Sequence, residues 1–114
     1  MNSDRFKKLA SALPETEEKS HFGKVDFRVR NKIFAGFDAK GKAYVKLLHE
    51  QQQMLCQAEP SLISPIAGAW GRKGWTLVDQ NIADEALIKS ALQMAWRNVA
   101  PKSVQRVGIG VSPR

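Results

Sequence analysis

From Lys24 to Lys46 the chain carries seven basic residues, Lys24, Arg28, Arg30, Lys32, Lys40, Lys42 and Lys46, opposed only by Asp26 and Asp38. The formal net charge of the whole chain is +7, from 18 Lys+Arg against 11 Asp+Glu, so most of the excess sits in this one segment. Clustered cations attract polyanions and displace the counterions condensed on phosphates, which makes nucleic acid the partner class to expect. The bland alternative is a solvated strand whose long basic stems cover apolar neighbours.

Other candidate chemistry is sparse. Cys56 and His49 lie seven apart on a predicted helix, but a Cys–His nucleophile needs direct contact and a third, orienting group. A reduced thiol without catalytic duty fits the same spacing. His21 stands alone, and no His/Cys/Asp spacing resembles a metal site. Glu15, Glu17 and Glu18 could hold a cation, yet charged residues on a strand edge also serve to prevent unwanted pairing. Gly68, Gly71 and Gly74 with Arg72 and Lys73 suggest a phosphate loop. They lack the G-x-x-x-x-G-K-[ST] order, and a turn with positive-φ glycines is the simpler reading. No catalytic residue, metal ligand or cofactor is expected, and the chain reads as a non-enzyme.

These residues need a scaffold. At 114 residues, 43% hydrophobic and 25% charged, the chain has the size and composition of one globular domain. No apolar run reaches the roughly 18 residues that span a bilayer. Charges scattered over residues 1–13 argue against a secretory leader, and a single cysteine excludes an internal disulfide. The expected compartment is the cytoplasm.

Ser3 reads as the cap of a helix over residues 4–13, with Phe6, Leu9, Ala10 and Leu13 as its apolar stripe and Pro14 as its stop. Residues 15–21 make an edge strand or a loop. Alternation predicts strands over 25–30 and 42–48, and the apolar run 32–37 reads as another between them, punctuated by Gly23, Asn31 and the Asp38-Ala39-Lys40-Gly41 turn. Residues 50–58 favour a helix. Pro60 and Pro65 bracket a loop or short strand, residues 68–74 form a loop, and 75–79 a strand. Asp84 caps a last helix whose buried stripe is Ile88, Leu92, Ala95 and Val99. Residues 1–101 form the domain, and 102–114 have no clear period and read as a mobile tail.

Strands joined by short turns are antiparallel, and the helices can all cover one face, giving a two-layer α+β domain. With even-length turns, Val25, Phe27, Val29, Phe34, Val45 and Leu47 share the core face. Arg28, Arg30, Ile33, Phe37, Lys42, Tyr44 and Lys46 share the other, an assignment that a one-residue bulge would scramble. Trp75 and Trp96 read as core anchors, and Trp70 as the exposed aromatic.

The ordered pieces Leu13-Pro14-Glu15, Phe22-Gly23, Phe27-Arg28-Val29, Lys32-Ile33-Phe34-Ala35, Val45-Lys46-Leu47, Gly74-Trp75 and Ala95-Trp96 resemble the MmcQ/YjbR family over about residues 9–100. The resemblance implies a CyaY-like fold, an antiparallel sheet with helices on one side, and a DNA-binding protein. It brings no iron site, because the first helix carries Asp4 among Arg5, Lys7 and Lys8 rather than an acidic ridge. The expected function is weak, largely sequence-independent contact with nucleic acid, DNA favoured. The expected face carries Arg28, Arg30, Lys42 and Lys46, with Tyr44 and Phe37 placed to stack on unpaired bases. A protein-interaction or chaperone-like module is the rival reading.

Overall fold

Alternating apolar and polar residues drive residues 24–29 and 43–46 into extended structure, with the apolar run 32–37 between them and the polar residues 16–21 added at the sheet edge. The computed structural model, which describes residues 2–107, places four strands there. They are β1 (Thr16–His21), β2 (Lys24–Val29), β3 (Lys32–Phe37) and β4 (Ala43–Lys46). Two more, β5 (Ile63–Pro65) and β6 (Trp75–Val78), complete a six-stranded sheet of order β1-β2-β3-β4-β6-β5, antiparallel throughout. The helices are α1 (Ser3–Ser11), α2 (His49–Ala58), α3 (Ala69–Arg72), α4 (Glu85–Val99) and α5 (Lys102–Val107). The two-layer α+β architecture read from the sequence is the observed one.

Two-residue turns set the register of the first three strands. Arg30 (φ 51°) and Asn31 (φ 70°) join β2 to β3, and Phe22 (φ 52°) and Gly23 (φ 79°) join β1 to β2. Left-handed backbone at both turn positions matches the twist of the strands it connects.

The β2–β3 pairing then slips. Phe27 faces Ala35 but Arg28 faces Ile33, so Phe34 is an extra residue in β3. The bulge turns both Phe34 and Ala35 inward and carries Phe37 to the core side. There its ring centroid lies 5.3 Å from that of Phe6. The expectation that Phe37 shares the outer face, available for stacking, is corrected by this one-residue bulge.

The core lies between the sheet and the helices α1 and α4. Phe6 and Ala10 come from α1, and Ile88, Leu92, Ala95 and Trp96 from α4. The Trp96 indole N–H donates to the Pro14 carbonyl at 3.0 Å. Asp84 caps α4 through the Leu87 N–H as expected, whereas Asn2 rather than Ser3 caps α1, accepting from the Arg5 N–H. Past Pro101 the chain continues as α5. In α5 Val104 is buried, and Gln105 donates to the carbonyls of Arg97 and Ala100. So short a helix offers no readable period, which is why the sequence suggests a tail from Lys102. The rest of that tail, residues 108–114, lies outside the described residues.

Candidate nucleic-acid interface

The strand residues pointing away from α1 and α4 build the site. Lys19, Asp26, Gly36, Tyr44, Leu77 and Ser64 form one row across the sheet, and Lys46 pairs with Trp75 beside it. Gly36 is obligatory at its place in the row. A Cβ there would stand 2.6 Å from the Tyr44 hydroxyl and 2.8 Å from the Val25 carbonyl oxygen, so the phenol occupies the room a side chain would need. Burial pushes the Tyr44 pKa up, the Asp26 charge adds to the rise, and Arg28 opposes it.

The four cations read from the sequence do not form one free row. Arg28 forks onto Asp26, with Nε–Oδ1 at 2.7 Å and Nη2–Oδ2 at 3.1 Å, and its Nη1 donates to the Asn31 side chain at 3.1 Å. Only 17% of the Arg28 side chain and 12% of the Asp26 side chain are exposed. The hydrogen bond to Asp26 raises the Arg28 pKa further. Bidentate pairing of this kind satisfies the guanidinium donors that a phosphate would use. Arg30 sits in the β2–β3 turn, its Nε 3.0 Å from Glu15 Oε1 in an exposed pair of the weak kind. Lys42 is exposed just ahead of β4 and lines a separate depression with Ser64, Leu77 and Asn81. Lys46 places Nζ 5.2 Å from the Trp75 ring centroid.

That tryptophan is the main feature sequence reasoning misplaced. Trp75 is no core anchor. It is half-buried on the open side, edge-on to Tyr44 at 5.4 Å and to Trp70 at 6.1 Å. Lys73 Nζ stands 5.8 Å from the Trp70 ring. Gln52 fixes this cluster from behind. Its buried amide donates to the Gly71 carbonyl and to Thr76 Oγ1, both at 3.0 Å, tying α2 to α3 and β6. Gly71 must be glycine, since a Cβ would meet the Ile66 carbonyl oxygen at 1.9 Å. The glycines of residues 68–74 thus serve packing and turning. The exposed Phe22 was also missed, although a Phe-Gly pair between two strands is a readable turn signal. The Asp26–Arg28 pair was readable too, because residues two apart on a strand point the same way.

A groove of about 450 Å³ crosses this face, running from Phe22 and Lys24 past Ile33 and Tyr44 to Trp70 and Trp75. Elsewhere, Cys56 is half-buried and its thiol pKa is raised by that burial, while His49 is exposed. Among the described residues no group of three His, Cys, Asp or Glu is placed to hold a metal ion, and no helix is long and apolar enough to cross a membrane.

The YjbR family model matches residues 11–98, from the end of α1 to nearly the end of α4. The chain belongs to the YjbR family. The crystal structure of Deinococcus radiodurans protein DR2400, with a DUF419 family-model domain, is similar to this YjbR chain at a TM-score of 0.72 and 20% identity. That likeness covers 91% of this chain and 85% of the Deinococcus protein, and at such identity it is a likeness of fold. No curated protein matches.

Proposed function

We propose that this YjbR protein is a non-enzymatic nucleic-acid-binding module, DNA favoured, making weak and largely sequence-independent contact through the open face of its sheet. One observation carries the reading: Lys46 and Lys73 are seated on the rings of Trp75 and Trp70, next to Tyr44. A cation over an aromatic face is held in place yet keeps its charge. Neither lysine takes part in an ion pair among the described residues, in contrast to Arg28 and Arg30. The overall charge of +7 adds the long-range attraction.

Anisotropy titrations of labelled duplex and single-stranded DNA across a salt series test this. Binding should weaken steeply with salt and be similar for unrelated sequences. Lys46→Ala and Lys73→Ala should each reduce the salt slope by about one. The double variant Asp26→Asn/Arg28→Gln, which removes a pair of opposite charges, should leave the slope unchanged. No binding at low salt would reject the reading. Exposed Phe22 and Trp70 favour one rival, a protein-contact module, whose apolar association would hardly respond to salt.

A further inference from the structure

We infer that the groove across the open face takes unpaired bases of a single strand, with Phe22 and Trp70 as stacking posts at its two ends. The inference rests on the nucleic-acid reading above and narrows it to a substrate class.

Phe22 is the first observation. It is 100% exposed, and its backbone is held at φ 52° in a two-residue turn. Bulky L-residues avoid this conformation, which glycine and asparagine accept. Folding gains nothing visible in return: among the described residues the one aromatic ring paired with that of Phe22 is His21, at 6.2 Å. An aromatic ring kept in water on a strained turn is placed for something outside the fold.

Trp70 is the second. It is 61% exposed, although Gln52 and the close approach of Gly71 to Ile66 pin the backbone beneath it. The ring itself stands edge-on to Trp75, with centroids 6.1 Å apart. Both residues line the same groove, and Gly36 leaves the row between them without a side chain of its own. From β2 to β6 the groove crosses three interstrand spacings, roughly 14 Å. That is room for more than one nucleotide, a site at or below the short end of the roughly 4–16 nucleotides that single-strand binders cover.

Charge fits the same occupant. Lys24 stands by Phe22, and Lys46 and Lys73 stand by Trp75 and Trp70. Of the two carboxylates along the groove, one is paired with a cation, and the other keeps its charge but is held by backbone donors. Asp26 is bound by Arg28, and Asp38 accepts the backbone N–H groups of Lys40 and Lys42. The rim thus presents cations to a polyanion while the rings meet its bases. In a duplex the base faces are already stacked on each other, so exposed posts recognise unpaired bases.

The test uses the full-length protein, a labelled oligothymidylate of about 12 residues, and the matching duplex. Binding of the strand should quench tryptophan emission, with buried Trp96 contributing an unchanged background. Phe22→Asn suits the turn and should fold normally. It and Trp70→Ala should each weaken oligothymidylate binding roughly tenfold, the order of loss for one stacked base. Both should change duplex binding much less, and Trp70→Phe should restore most of the affinity. If both variants bind the strand like the unaltered protein, or if the duplex binds as tightly as the strand, base stacking is wrong while the charged face still stands. Strand binding that ignores salt would mark the groove as an apolar docking site and overturn the inference. If neither form binds at low salt, the nucleic-acid reading itself falls.

Discussion

The two faces of the sheet are built from alternate residues of the same strands, yet they spend their aromatic residues differently. On the helix side Phe27 is closed in by Phe6 and Phe37, with ring centroids 6.4 Å away in each case, and nothing of it reaches solvent. On the open side Tyr44, Trp75 and Trp70 pack edge to face in a chain that ends on an exposed ring, with lysines over two of the three. Rings on the first side lose contact with water and hold the domain together. Rings on the second keep part of their surface and remain available for contact. The difference separates residues that answer to stability from residues left free for the contact proposed above.

The largest expected effect breaks the comparison at its stronger side. Phe27→Ala removes a fully buried ring from the centre of the core and should cost about 3–5 kcal/mol. Trp70→Ala deletes a larger ring but should cost under about 1 kcal/mol, because most of that ring is already in water. Urea unfolding of the two variants measures both. Comparable losses would mean that the open face is a second core and not a contact surface.

A smaller effect is expected where the two faces share a backbone. Gly36→Ala puts a methyl group 2.8 Å from the Val25 carbonyl oxygen and 2.6 Å from the Tyr44 hydroxyl. The phenol can swing away, but the carbonyl belongs to a paired strand, so the change should cost about 1–3 kcal/mol, as overpacking does. Because Tyr44 walls the groove, the same variant should also weaken binding to the open face, which a purely structural penalty would not. Thermal unfolding and anisotropy titration of one preparation separate the two consequences.

The sequence made the layers legible and left the open face half hidden, for identifiable reasons. Period-two alternation in residues 25–30 and 42–48 and the turn residues between them are local signals, and they place β2 to β4 correctly. The bulge at Phe34 carries no local mark; it is decided by how β3 must pair with β2 while keeping Phe37 against Phe6. Trp75 was misread because large aromatic residues are usually buried. Which side it occupies depends on the register of β6 against β4, where Lys46 pairs with Trp75, 29 positions further along the chain. The basic segment is visible as charge, but a count of charges does not show their pairing: Asp26 and Glu15 claim Arg28 and Arg30. What remained readable of the candidate site was Lys46, Tyr44 and the exposure of Trp70.

The smallest effect tests whether the open face is as sheltered as its geometry implies. Tyr44 is the sole tyrosine, so tyrosinate absorbance reports it alone. Burial raises its pKa above the ordinary 10.0, Asp26 and Asp38 push the same way, and Arg28 pulls back. A raised pKa means the folded state holds the proton more tightly than the unfolded chain. The stability this contributes is fully present below pH 10.0 and is lost as pH rises through the folded value. The titration midpoint should therefore lie above 10.0 in the folded protein and return to the ordinary value in urea. Asp26→Asn removes a charge that favours the protonated phenol, so it should lower the midpoint. A midpoint at the ordinary value in the folded protein would place the Tyr44 hydroxyl in water. The groove would then lack the wall between Phe22 and Trp70, and the distinction between a charged surface and a built site would go against the site.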